Sequence, residues 1–118
     1  MSIARITMNS GFSGAQALAI NGGVANGLTA TGTLQSDAYA LSFAINRFTT
    51  VAANSGAVLP NGAAADEVWI WNAGANPLSV YPPSGAQINA ASVNTAVPLP
   101  TNSGFICKCI SATLWLVK

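Results

Sequence analysis

The chain has 118 residues, of which 51% are hydrophobic and only 6% are charged, and it contains no histidine. The missing histidine excludes a Ser-His-Asp or Cys-His catalytic site and most zinc sites, and four scattered basic residues with a net charge of +1 give no footprint for nucleic acid. We therefore expect a non-catalytic protein without a cofactor. Its weakly charged surface favours burial in an assembly, the alternative being a monomer kept soluble by its Asn, Ser and Thr residues.

Residues 1–27 differ in character from the rest of the chain. They contain five glycines and one apolar patch, at Ala15 to Ile20, but no alternation typical of a core-forming strand. We expect an irregular N-terminal arm that orders on a neighbouring subunit, or a surface loop, before a single β-domain at 28–118. No export signal is recognisable from Met1 to Asn9, and no apolar stretch approaches the length of a membrane-spanning helix, so we expect an unexported protein that is not bound to a membrane.

The segment from Asp37 to Phe48 fits two secondary structures. Its apolar residues form a helical face through Leu41, Ile45 and Phe48, or a strand face through Tyr39, Leu41, Phe43 and Ile45. We favour a turn followed by a strand. Ile45 to Val51 has the composition of a strand, and Ala57 to Pro60 predicts a short edge strand.

Two short β-rich runs flank a connection made of turn-forming residues. The runs are Glu67 to Trp71 and Leu78 to Tyr81, and residues 72–77 between them read Asn-Ala-Gly-Ala-Asn-Pro. This arrangement predicts a β-hairpin. The second strand should end at the Pro82-Pro83-Ser84-Gly85 run, because proline cannot donate to a ladder and glycine accepts a positive φ.

The C-terminal third repeats this pattern of short strands and breaks. Gln87 to Asn89 predicts a short strand or turn, and Ala96 to Leu99 leads to a break at residues 100–104. Phe105 to Ile110 and Thr113 to Val117 then predict a C-terminal hairpin that turns at Ser111-Ala112. Several short strands at regular spacing indicate an all-β fold, an antiparallel β-sandwich or a β-barrel-like domain.

The two cysteines, Cys107 and Cys109, are expected to be reduced and buried. On a strand, positions i and i+2 share a face at a spacing of nearly 7 Å. A disulfide at that spacing would be strained, and two thiols without histidine do not complete a zinc site. They are therefore interpreted as small hydrophobic core residues.

The acidic residues do not form a catalytic pair. Asp66 and Glu67 are neighbours just before a predicted strand, so their side chains point to opposite sides. With Asp37 they are interpreted as solvated, turn-capping residues. The sequence therefore predicts neither a catalytic residue nor a metal ligand.

Trp69 and Trp71 share one face of their predicted strand, while Val68 and Ile70 occupy the other. Both faces of this strand are therefore apolar. The tryptophans either belong to the core, lie at a protein interface, or form a platform on which a sugar stacks. The candidate interface anchors are Trp69, Trp71, Tyr81 and Trp115.

Several residue runs resemble those of small structural proteins of tailed bacteriophages. The main run extends from Asp66 to Asn89 (Asp-Glu-Val-Trp-Ile-Trp-Asn-Ala-Gly-Ala-Asn-Pro-Leu-Ser-Val-Tyr-Pro-Pro-Ser-Gly-Ala-Gln-Ile-Asn). The flanking segments also resemble those proteins: Phe48-Thr49-Thr50-Val51 precedes Val58-Leu59-Pro60, and Phe105-Ile106-Cys107 precedes Trp115. The resemblance covers about residues 28–118, and no functional residue is carried over from it.

The resemblance implies a β-rich virion protein, a capsid decoration (cement) protein on the outside of the head. Such proteins clamp neighbouring capsid subunits, so the implied partners are the major capsid protein and copies of the chain itself, as a dimer or trimer. The implied location is the virion, assembled in the host cytoplasm. Two alternatives remain open: a tail or fibre-base adaptor of the virion, and a carbohydrate-binding β-module that uses Trp69 and Trp71.

Overall fold

The computed structural model describes residues 21–118, which form ten β-strands and one turn of 3-10 helix at Gln35–Asp37. The strands are β1 (Asn21–Thr29), β2 (Tyr39–Ala40), β3 (Phe43–Thr50), β4 (Gly56–Val58), β5 (Glu67–Asn72), β6 (Leu78–Tyr81), β7 (Gln87–Ile88), β8 (Val97–Leu99), β9 (Ser103–Ser111) and β10 (Leu114–Val117). The prediction of an all-β fold is confirmed.

The strands form two mixed sheets between which the chain alternates. The six-stranded sheet has the order β1-β3-β5-β9-β10-β7, and the four-stranded sheet has the order β2-β4-β6-β8. From β2 to β9 each strand belongs to the sheet opposite the one before it, which makes the arrangement solenoid-like. Five of the eight strand pairings are parallel and three are antiparallel, so the antiparallel arrangement expected from the sequence holds for only part of the fold.

The predicted hairpin of β5 and β6 is wrong, because these strands lie in different sheets. β5 pairs with β3 and β9, whereas β6 pairs with β4 and β8. The buried side chain of Asn72 holds the connection: its Nδ2 donates to the carbonyls of Asn76 and Leu99, and its Oδ1 accepts the amide of Gly74. Because Leu99 belongs to β8, these bonds direct the chain across to the four-stranded sheet.

Other predicted elements agree more closely with the structure. The C-terminal hairpin is confirmed as β9 and β10, with its turn one residue further along, at Ala112-Thr113. The turn-then-strand interpretation of residues 37–48 is confirmed by the 3-10 turn, β2 and β3. The strand predicted near Ala57 is present as β4, but it lies between β2 and β6 and is not an edge strand.

Strand β1 includes the last residues of the segment predicted to be an arm. It pairs in parallel with β3, with Val24 beside Ile45, and its register shifts between Ala25 and Leu28, where Gly27 has a φ of 75°. The predicted boundary between residues 27 and 28 therefore falls inside β1. The remainder of the predicted arm, 1–20, lies outside the described residues.

One hydrophobic cluster joins the inward faces of the two sheets. The alternation of buried and accessible residues along β5 directs Val68 and Ile70 inward, where they share the cluster with Leu78 and Val80 of β6. Burial of each such side chain contributes about 1.5–3 kcal/mol to folding. Because these positions alternate strictly, the same register sends Trp69 and Trp71 to the outside of the six-stranded sheet.

Cys107 and Cys109 are free and buried, which confirms the interpretation of the two thiols as core residues. Burial raises the pKa of the Cys107 thiol to about 12. Burial also raises the pKa of Cys109, with a smaller contribution in the same direction from the carboxylate of Asp66. Both thiols are therefore protonated in the folded chain at neutral pH.

The raised pKa of Cys107 predicts a loss of stability at alkaline pH. An exposed thiol in the unfolded chain ionises near pH 8.5, whereas the folded chain keeps the proton until about pH 12. The stabilisation is complete below the unfolded pKa, and we expect it to fall by about 1.4 kcal/mol per pH unit above it. Urea unfolding from pH 7 to 11 should show a steeper decline for the wild-type chain than for Cys107→Ala. Parallel curves would contradict the assignment.

Candidate protein-binding face

The outer face of the six-stranded sheet exposes most of the large apolar side chains on the described surface. Nine such residues are exposed among residues 21–118, and seven of them lie on this sheet. The remaining two, Leu34 and Val93, lie in connections between strands. The seven that lie on this sheet, here called the outer face, are Val24, Ile45, Trp69, Trp71, Ile106, Ile110 and Leu116. A concentration of exposed apolar side chains on one face is typical of binding surfaces on proteins.

Strand register aligns part of the outer face in a single row. Val24 lies beside Ile45, Ile45 beside Trp69, and Trp69 beside Ile106 on four adjacent strands. The amide and carbonyl of Ile106 bond in turn to those of Lys118, at 3.0 and 3.1 Å, so Lys118 continues the row. With neighbouring strands about 4.8 Å apart, the four apolar residues span roughly 14 Å.

Trp71 lies in the next row, between Arg47 and Gly104. A Cβ atom at position 104 would lie only 2.8 Å from Cε3 of Trp71, so the indole covers the backbone of β9 where that strand has no side chain. On the other side, Nη1 of Arg47 donates to Oδ1 of Asn26 at 3.1 Å. Gly104 thus allows Trp71 to lie low against the sheet, and any side chain there would displace it.

A shallow, mainly apolar groove of about 270 Å³ runs between these rows. Its walls include Ile45, Trp69, Trp71 and Ile106, with Lys118 at one end. The volume is slightly below the range of about 300–1,000 Å³ typical of small-molecule sites. With few polar groups to orient a ligand, the groove suits an apolar side chain of another molecule.

Most of the described charged residues lie on or beside this face. Nζ of Lys108, an exposed side chain, is 4.0 Å from Oε2 of Glu67, whose side chain is only 17% exposed. Asp37 and Asp66 lie elsewhere and cap turns: the carboxylate of Asp37 accepts the amides of Thr33 and Leu34, and that of Asp66 accepts the amide of Ala63. The predicted capping role is confirmed for Asp37 and Asp66, whereas Glu67, also predicted to be solvated, is only 17% exposed.

The structure separates the four predicted anchors. Trp69 and Trp71 are 41% and 46% exposed on the outer face, so the interpretation of this pair as core residues is wrong. Tyr81 is half-buried at the end of β6 in the other sheet, and its hydroxyl donates to the carbonyl of Thr33 at 3.1 Å. Only the two tryptophans of β5 therefore lie together.

Trp115 is fully buried, which corrects its prediction as an interface anchor. A register shift between Leu114 and Trp115 places Trp115 opposite Cys109, an inward position of β9. Within the described part of the chain its indole Nε1 has no hydrogen-bond partner. Trp115 is thus the largest side chain of the core and takes no part in the outer face.

Five of the seven outer-face residues were not predicted as interface residues. Ile106 and Leu116 alternate with buried neighbours on β9 and β10, a signal present in the sequence. Val24 and Ile45 join them only through the parallel pairing of β1, β3 and β5, which the sequence did not indicate.

Residues 21–118 contain no group of three or more His, Cys, Asp or Glu side chains that could hold a metal ion. Within the same range, no helix has the length and apolarity needed to cross a membrane. No known protein family, curated protein or solved structure matches the chain. The role of the outer face therefore rests on its geometry and chemistry.

Proposed function

We propose that this chain is a structural, non-catalytic protein that docks onto another protein through its outer face. The observation that carries the proposal is the pair of half-exposed tryptophans, Trp69 and Trp71, on an apolar sheet surface. Tryptophan is enriched at the energetic centres of protein interfaces. Exposing two indoles beside Ile45 and Ile106 is unfavourable in water, and covering them with a partner removes that apolar area from solvent.

The proposed setting is the virion of a tailed bacteriophage, where the chain serves as a capsid decoration (cement) protein. Two features support this setting. The run from Asp66 to Asn89, which resembles phage structural proteins, supplies both tryptophans of the outer face. The chain also carries only seven charged residues, which suits a protein surrounded by repeated protein neighbours. The proposed partners are the major capsid protein, at the outer face, and further copies of the chain elsewhere.

Copy number in purified particles tests the proposal. Particles produced by the genome that encodes the chain are purified and their proteins quantified by mass spectrometry. We expect a copy number close to that of the major capsid protein, because a decoration protein covers the head lattice. A handful of copies, with labelled antibody at the tail and bare capsid faces, would instead support the tail-adaptor alternative. Absence from the particle contradicts a virion role altogether.

A carbohydrate-binding module is a second candidate, favoured by the exposure of Trp69 and Trp71 on one face. Aromatic platforms of this kind stack on sugars, but sugar sites also need converging hydrogen-bonding groups. The walls of the groove offer few polar side chains besides Lys118. Binding on a glycan array, accompanied by a change in tryptophan fluorescence, would select this candidate. No binding on the array and no change in tryptophan fluorescence on addition of sugars would reject it.

A further inference from the structure

The basic residues of the chain are concentrated on the outer face. The chain has four basic residues, and three of them, Arg47, Lys108 and Lys118, lie on or beside that face. Its one acidic side chain among the described residues is Glu67, which already neighbours Lys108. The apolar groove is therefore bordered by an excess of positive charge.

Arg47 and Lys118 lie on opposite sides of the apolar groove. Arg47 of β3 lies beside Trp71 of β5, and its guanidinium donates to Asn26 on the β1 side. Lys118 lies beside Ile106, beyond β9. Three strand spacings and an offset of two residues along the strands separate their positions, roughly 16 Å in all. Two positive groups at this separation complement a surface that has carboxylates on either side of an apolar projection.

We propose, building on the docking function above, that the outer face binds a protein surface presenting an apolar side chain flanked by carboxylates. The apolar side chain enters the groove between Trp69, Trp71 and Ile106. The carboxylates pair with Arg47 and Lys118, whose charges steer the encounter and fix the orientation of the partner.

The charge and shape of the outer face favour this partner over a second copy of the chain, a membrane or a neutral sugar. A second copy docked face to face would bring two positive surfaces together, which opposes association. A membrane surface is flat and would leave the groove of about 270 Å³ unfilled. A neutral sugar would gain nothing from the basic border.

Peptide display tests the partner chemistry without knowledge of the natural partner. Random 12-residue peptides are panned on the full wild-type chain, on Arg47→Gln/Lys118→Gln, and on Ser84→Glu/Ser92→Glu. The last variant is the matched control, because it lowers the net charge by the same amount at exposed positions away from the face. Circular dichroism checks that all three chains are folded.

We expect the wild-type chain to enrich peptides that combine aromatic or aliphatic residues with Asp or Glu. Their affinity should fall roughly tenfold for Arg47→Gln/Lys118→Gln at low salt, remain within about twofold for the control, and weaken as salt screens the charges. Enrichment of uncharged peptides, or equal binding by both variants, overturns the proposal. Binding of phosphatidylserine vesicles without peptide enrichment overturns it in favour of a membrane, and a dimer lost on Trp69→Ala overturns it in favour of a second copy.

The panning result and the copy number in particles are independent. If acidic, apolar peptides are enriched but the chain is absent from the particles, the proposed partner chemistry is retained and the virion role is rejected. A high copy number in particles without enrichment of such peptides would support the virion role and reject the proposed partner chemistry.

Discussion

Replacing Trp115 with alanine is expected to lower the free energy of unfolding by about 3–5 kcal/mol, the range for removing a fully buried large aromatic side chain. Trp115 has no exposed surface and lies inside the cluster that joins the two sheets. Position 62 approaches it so closely that a Cβ there would lie 2.9 Å from Cζ2 of the indole. The substitution therefore opens a cavity beside Gly62, a position with no side chain to fill it. Since the free energy of unfolding of domains of this size is about 5–15 kcal/mol, the expected loss is a large fraction of the stability of the domain.

Trp71→Ala is the matched control for Trp115→Ala, since it removes the same side chain from a half-exposed position. We expect it to change stability by about 1 kcal/mol or less. Trp115→Phe should cost less than Trp115→Ala, because it leaves a smaller cavity and removes the Nε1 group that has no partner among the described residues. Urea unfolding followed by far-UV circular dichroism measures all three. Equal losses for Trp71→Ala and Trp115→Ala would contradict the placement of Trp115 in the core.

Local alternation predicted the strands better than their partners. β5, β9 and β10 could be located from the sequence, because a strand places every second side chain on one face whatever lies beside it. Pairing was harder, since the turn-rich connection at residues 72–77 is compatible with a hairpin. The strand pairings and the hydrogen bond from Asn72 to Leu99, 27 residues away, show that it crosses between sheets.

The candidate site likewise has some features that follow from local sequence and others that depend on strand pairing and sheet packing. The shared face of Trp69 and Trp71 follows from their spacing, but the side of the sheet that faces solvent depends on how the two sheets pack. Trp115 was misplaced because composition cannot distinguish a buried tryptophan from an exposed one. Its inward position depends on a register shift in the C-terminal hairpin. Val24 joins the outer face through β3, a pairing that no local pattern indicates.

Removing either indole of the outer face should weaken docking strongly while leaving the fold intact. Truncation of a residue at an interface centre costs about 2–4 kcal/mol of binding, or roughly 30- to 1,000-fold in affinity. We expect this loss for Trp69→Ala and Trp71→Ala in binding to heads purified from particles that lack the chain. Both side chains are about half exposed, so their removal leaves little cavity in the core.

Leu34→Ala and Val93→Ala provide the controls, because these side chains are 62% and 53% exposed but lie off the outer face. They should alter affinity for the heads by no more than about twofold, since surface changes away from an interface cost little. The double variant Trp69→Ala/Trp71→Ala should lose less than the sum of the single losses, because both indoles line one groove and residues that share a partner are coupled. Strictly additive losses would place the two tryptophans at separate contacts, and equal losses for Leu34→Ala would move the docking surface away from the six-stranded sheet.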